Sequence, residues 1–240
     1  MTADVRDVWT YLADTPLLGL TATLIAWDAA SWIWRRARMT PLLNPVLLAI
    51  VMIVIFLSAT GIDYRRYFAG AQFIHFLLGP ATVALAIPLY RQIHALRRSA
   101  LAVTIALAFG SVTAAASAVG IAWALGASRS TILSLAPKSA TTPIAMGIAK
   151  EIGGLPSLTA VLVLLTGIVG ATMGPWLLAK LKVADPRAQG LALGVASHGI
   201  GTARALQSGE VAGAFSGLAM GLNGLATAIL VPLLVRWLLN

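Results

Sequence analysis

The sequence predicts an all-α polytopic membrane protein of about six to eight transmembrane helices, including two broken or re-entrant elements that an inverted repeat would accommodate. Three observations carry this prediction. Hydrophobic residues make up 59% of the chain and charged ones 10%, with a mean hydropathy of +0.88, which excludes a soluble globular domain. Several apolar runs reach the roughly 20 helical residues that cross a hydrocarbon core about 30 Å thick. Finally, two polar islands broken by Gly and Pro, at residues 136–143 and 197–204, are set inside otherwise membrane-grade sequence. In 240 residues these crossings leave no room for a soluble catalytic domain. The expected organisation is one transmembrane domain over residues 1–240, with residues 1–68 as scaffold and 69–240 as the functional core.

The apolar spans run over Pro16–Trp34, Pro45–Thr60, Ala69–Tyr90, Ala100–Leu125, Leu158–Leu181 and Val211–Leu238, with the stretches Ser130–Gly153 and Gln189–Ser208 between the later ones. Basic residues follow alternate spans: Arg35, Arg36 and Arg38; Arg91, Arg97 and Arg98; Lys180, Lys182 and Arg187. The positive-inside rule puts these loops in the cytoplasm and the acidic N-terminus, with Asp4, Asp7 and Asp14, outside. That N-terminus has no basic leader followed by an apolar core and cleavage site, so it is expected to stay uncleaved. With both flanks of residues 130–153 on the outer side, this stretch must enter and return. Residues 189–208 would be its counterpart from the cytoplasmic side. The net charge of +9 is thereby assigned to topology, and no nucleic-acid partner is expected.

In the first island, Pro137 and Pro143 remove two backbone donors and disfavour helix before each ring, so residues 136–142 should be extended or turn-like. A half-helix then restarts over 144–152. Its N-terminus, with the hydroxyls of Ser139, Thr141 and Thr142 and the ammonium of Lys138, suits one small anion such as a carboxylate. In the second island Gly199 and Gly201 expose backbone, while Ser197, His198, Thr202 and Arg204 supply donors, Arg204 with a fork that matches a carboxylate. Duller readings stand beside these: Gly and Pro that only kink, hydroxyls that satisfy their own backbone, and a Lys138 that snorkels to the surface. His198 reads equally as a proton carrier or a hydrogen-bonded packing residue. Glu151, beside Lys150, reads as a solvated helix end or a coupling site. His75, ahead of Gly79-Pro80, belongs to a third Gly/Pro break that ends at Pro88 and is a candidate cavity residue.

Gly170 and Gly174, and Gly213, Gly217 and Gly221, are spaced for close helix contact, either within one subunit or along a homodimer seam. Trp27, Trp32, Trp34 and Trp237 fit interfacial belts, and Asp28 fits an interfacial anchor. The sequence has no cysteine, no HExxH, no Gly-x-Ser-x-Gly and no phosphate-binding Walker loop. Gly199-Ile200-Gly201 lacks the third glycine of a dinucleotide fingerprint. Adjacent Ser197 and His198 point about 100° apart on a helix and make no catalytic dyad. Three scattered histidines make a poor metal site. No enzyme, metal or cofactor is expected; coupling to H⁺ or Na⁺ would be the ionic requirement of a transporter.

The runs APKSATTPIAM from Ala136, IGGLPSLTA from Ile152, GLALGVASHGIGTARAL from Gly190 and GAFSGLAMGL from Gly213 resemble the LrgB/CidB family of bacterial inner-membrane proteins. FLLGPATVALAIPLY from Phe76 is similar to the family's N-terminal signature. The resemblance covers roughly residue 68 to the C-terminus and extends to the C-terminal half of the plant plastidial glycolate/glycerate translocator. It implies a multi-pass protein of the bacterial inner membrane, with residues 69–240 as an LrgB-like transport core for glycolate, glycerate, pyruvate or lactate. It equally implies an antiholin-like regulator of murein hydrolase export and autolysis beside an LrgA/CidA-type membrane partner. Where the family pattern leads one to expect an acidic residue after Pro-Ile-Ala-Met, this chain has Gly147.

Overall fold

The computed structural model describes residues 16–37, 43–84 and 86–239. Asp4, Asp7, Asp14 and Arg38, and the side chain of Trp237, lie outside the described residues. Every regular element among them is helical. The chain forms two compact units, residues 1–84 and 85–240.

The first unit holds α1 (Pro16–Arg36), α2 (Pro45–Thr60), α3 (Tyr64–Phe76) and α4 (Leu78–Ala84). Asn44 starts α2 by accepting from the Val46 amide, Pro45 occupies its first turn, and Gly61 at φ 68° ends it, the usual chemistry of helix start and stop. α1 and α3 meet through missing side chains. A Cβ on Gly19 would strike the Tyr67 carbonyl, and one on Gly70 the Pro16 carbonyl. Thr23 and Tyr67 share a hydroxyl hydrogen bond of 2.7 Å across this seam. Asp28, Trp27 and Trp32 are exposed, as anchors require.

The second unit comprises α5 (Ala86–Arg91), α6 (Ile93–Arg98), α7 (Ala100–Ala124), α8 (Arg129–Leu135), α9 (Thr142–Ile152), α10 (Pro156–Lys180), α11 (Pro186–Ser208) and α12 (Glu210–Leu239). Among the described residues, five stretches are long and apolar enough to cross a membrane: Pro16–Arg36, Tyr64–Arg91, Ala100–Ala124, Pro156–Lys180 and Glu210–Arg236; Pro45–Thr60 is shorter. The predicted span Ala69–Tyr90 proves segmented. Pro80 has no amide and its ring crowds the carbonyl four residues back, at Phe76, where α3 ends.

Both islands are helical hairpins. Residues 136–141 are non-helical between α8 and α9, and the far end of α9 returns beside α8: the Leu155 amide donates to Ser134 Oγ at 2.8 Å, and Thr159 Oγ1 to the Ser134 carbonyl at 3.0 Å. α11 reverses at His198 (φ 42°, ψ −131°). Its two halves run in opposite directions along α12. Gly190 meets Ala212 and Gly194 meets Ser216, stepping forward together, whereas Thr202 meets Ser216 and Leu206 meets Gly213. Gly201 sits on the Leu193 carbonyl, although eight residues of straight helix would separate them by about 12 Å. A first half of 12 residues reaches about 18 Å, near the middle of a bilayer entered from one side.

Candidate functional site

The tips of the two hairpins converge on the middle of α12. Asn223 is fully buried; its Nδ2 donates to the Ser139 carbonyl at 2.9 Å and to the Val195 carbonyl at 3.3 Å. Its Oδ1 accepts from Ser111 Oγ on α7 at 2.6 Å. A carboxamide has two donor hydrogens and one acceptor oxygen, so one side chain ties both tips and a flanking span together. Lipid offers no substitute partner for these bonds, which makes them hard to replace.

Lys138 lies in the turn of the first hairpin, half-buried, with its Nζ 3.4 Å from Ser139 Oγ. No carboxylate pairs with it among the described residues. The described acids, Asp28, Asp63, Glu151, Asp185 and Glu210, stand at or beyond helix ends or, for Asp28, exposed on α1. A charge at bilayer depth costs about 3 kcal/mol or more even on lenient insertion scales. An ammonium held there without a carboxylate is therefore suited to an exchangeable anion. The next helix strengthens this: Thr141, at the N-cap of α9, makes no side-chain capping bond, leaving the positive end of the half-helix open beside Lys138. Thr141 and Thr142 are half-buried there.

At the second tip, His198 is 5% exposed and its Nε2 lies 2.9 Å from the Val163 carbonyl of α10; since a carbonyl only accepts, Nε2 carries the proton. The ring occupies the space a side chain at Gly167 would need, 2.7 Å from its would-be Cβ. Ser197 is fully buried against Gly170, and its hydroxyl has no hydrogen-bond partner among the described residues. Thr202 Oγ1 donates to the His198 carbonyl at 2.9 Å, so Ser216 must donate to Thr202 across 3.0 Å. Gly199 is exposed, while Gly201 is buried against Leu193 and Ser197.

The structure thus brings Lys138, Ser139, Ser197, His198, Gly199, Gly201 and Thr202 to two tips joined by Asn223. It places two candidates of the same unit elsewhere. Arg204 donates to Gln207 Oε1 at 3.0 Å, six residues past the reversal or about 9 Å along the returning half-helix. Glu151 is exposed at the end of α9. His75, edge-on to Phe68 at 5.9 Å, belongs to the first unit. Asn223 escaped the sequence reading, yet a lone carboxamide midway along an apolar span was its signal, since lipid offers it no partner.

Five membrane-length stretches and paired intramembrane hairpins with a cationic tip define a polytopic membrane protein with a central polar site. The chain belongs to the LrgB family: the LrgB-like family model matches residues 23–237. Antiholin-like protein LrgB of Bacillus mycoides (strain KBAB4) is 31% identical over 224 residues, covering 93% of this chain and 97% of the relative. Its namesakes in Bacillus cereus (strain B4264) and Bacillus anthracis (strain CDC 684 / NRRL 3495) match to the same extent. No solved structure matches this chain.

Proposed function

We propose that the chain is a secondary transporter of small monocarboxylates, glycolate, glycerate, pyruvate or lactate, working by alternating access around an anion site between the two hairpin tips. The supporting observation is Lys138, a half-buried ammonium without a carboxylate partner among the described residues, set at the uncapped start of α9. Ser139, Thr141, Thr142 and the open backbone at Gly199 would complete the cradle, with H⁺ or Na⁺ as coupling ion. A homodimer in the bacterial inner membrane is the assembly proposed, and no enzymatic step is required.

The name of the relatives, antiholin-like, supports a second reading more directly than the first: a membrane regulator of murein hydrolase export and autolysis, acting with an LrgA/CidA-type partner. The two differ in what they need from Lys138. Transport requires the charge, whereas assembly in lipid requires interfaces. In purified protein, a binding acid at about 100 times its dissociation constant should add about 2.7 kcal/mol of stability, and Lys138→Gln should remove that gain while leaving the unliganded melting point in place. A flat response to all four acids, with dye leaking from vesicles that hold large oligomers, would transfer the assignment to the regulator.

A further inference from the structure

His198 occupies a backbone conformation that suits glycine. At φ 42° and ψ −131° it sits near the first central position of a type II′ turn, where a Cβ is disfavoured, and such strain costs on the order of 1–3 kcal/mol. A glycine stands next in sequence, at 199, so the chain could have reversed there without strain. What the strained residue gains is a ring held at bilayer depth. Nε2 is fixed on the Val163 carbonyl, and Gly167 leaves the ring its space. Nδ1, by contrast, has no hydrogen-bond partner among the described residues. Anchoring Nε2–H settles the tautomer, so in the neutral ring Nδ1 presents a lone pair able to take a proton.

The charges around it are few. From the first hairpin comes Lys138, next to Ser139, whose carbonyl shares the Asn223 amide with that of Val195, three residues before His198. α10 faces the ring with Val163 and Gly167, and α12 approaches the same turn with Ser216 and Met220 through Thr202; none of these titrates. The charged residues of these helices, Lys180, Glu210 and Arg236, lie toward helix ends, and Arg204 of α11 is engaged with Gln207. An anion beside Lys138 offsets the ammonium and so favours a second positive charge nearby; by linkage, a proton on His198 favours the anion equally.

Resting on the transport reading, we propose that His198 is the proton-carrying residue of the site: Nδ1 takes up a proton as the carboxylate binds beside Lys138 and gives it up as the carboxylate leaves. Nothing covalent changes. One proton and one anion cross together, and the loaded site gains no net charge.

The experiment uses full-length protein in liposomes enclosing a pH dye, with labelled glycolate, glycerate, pyruvate and lactate supplied in turn. Wild type should move about one proton per acid, and in His198→Gln, whose amide can still donate to Val163, that ratio should fall about tenfold in whatever uptake remains. Acid uptake by wild type without protons overturns the role of His198 and leaves the transporter standing, as does an unchanged ratio in His198→Gln. If wild type takes up none of the four acids, the transport reading itself falls and this inference with it. Where His198→Gln is too slow to score, binding in detergent decides. Stabilisation of wild type by the acid should weaken as rising pH strips the proton from the imidazole, while His198→Gln and the strain-free His198→Gly should show no such slope; the same slope in all three overturns the proposal.

Discussion

Asn223 joins three elements with one side chain, which makes its removal costly in a way that its neighbours' is not. Truncation to alanine strands the Ser111 hydroxyl and withdraws a donor from the Ser139 and Val195 carbonyls. Asn223→Ala should therefore lose about 1–3 kcal/mol, read as a lowered melting point in detergent. Ser111→Ala leaves Asn223 Oδ1 without its donor but keeps the two hairpin contacts intact, so its loss should be the smaller of the two. If the serine variant proves the more damaging of the two, Asn223 is not the residue that holds the tips. The site was half legible in sequence for a related reason. Lys138 and His198 stand out because charge and imidazole are expensive in lipid, whereas Asn223 lies 84 and 28 residues from the carbonyls it serves and only the fold reveals them. Arg204 adjoins the polar island in sequence, and the fold sets it six residues past the reversal at His198, donating to Gln207.

The hairpin of α11 stays against α12 because glycines let the two backbones touch. A Cβ at Gly190 would collide with the Ala212 carbonyl and one at Gly194 with the Ser216 carbonyl, so neither position can grow without pushing the half-helix off its support. In lipid, where burying apolar surface between helices has little driving force, such close approach and the dispersion it allows must hold the packing. Gly190→Ala should cost about 1–3 kcal/mol. Gly221→Ala, on the same α12 but with open space where its Cβ would stand, should be neutral or slightly stabilising, since alanine is the better helix former by up to about 1 kcal/mol. Melting both variants side by side checks this, and equal losses would contradict the packing account. The contrast also shows how far spacing can be read. The Gly213, Gly217 and Gly221 pattern predicts one continuous contact stripe, and the structure leaves Gly221 out of it although α11 reaches as far as Asn223, because eight residues of helix turn Gly221 about 80° from the face of Gly213. Spacing reports which residues permit contact; the face each one occupies decides which of them use it.

Two hairpins entering from opposite faces make a claim about sidedness that follows from the chain's connectivity and its charges. α10 separates them as a single crossing of 25 residues, Pro156–Lys180, so the ends of the first hairpin and the ends of the second must open to opposite sides. By the positive-inside rule, Lys180, Lys182 and Arg187 predict that the second pair opens to the cytoplasm. There the start of α11 is fixed in water by Asp185, whose carboxylate accepts from the Arg187 amide at 2.9 Å and pairs with its guanidinium at 2.6 Å. That side-chain bond holds the Asp185 carboxyl below the usual range and Arg187 above its own, as fits a charged, solvated end. Because the sequence contains no cysteine, single cysteines can be introduced without a background. In intact cells a membrane-impermeant maleimide should label Arg129→Cys and Glu151→Cys, while Ala184→Cys and Ser208→Cys should react only after permeabilisation. Labelling of Ala184→Cys and Ser208→Cys from different sides would turn α11 into a full crossing and remove the meeting of tips at Asn223. Labelling of all four with the two pairs exchanged would keep both hairpins and reverse the orientation, placing the N-terminal acids in the cytoplasm against the pull of the basic loops.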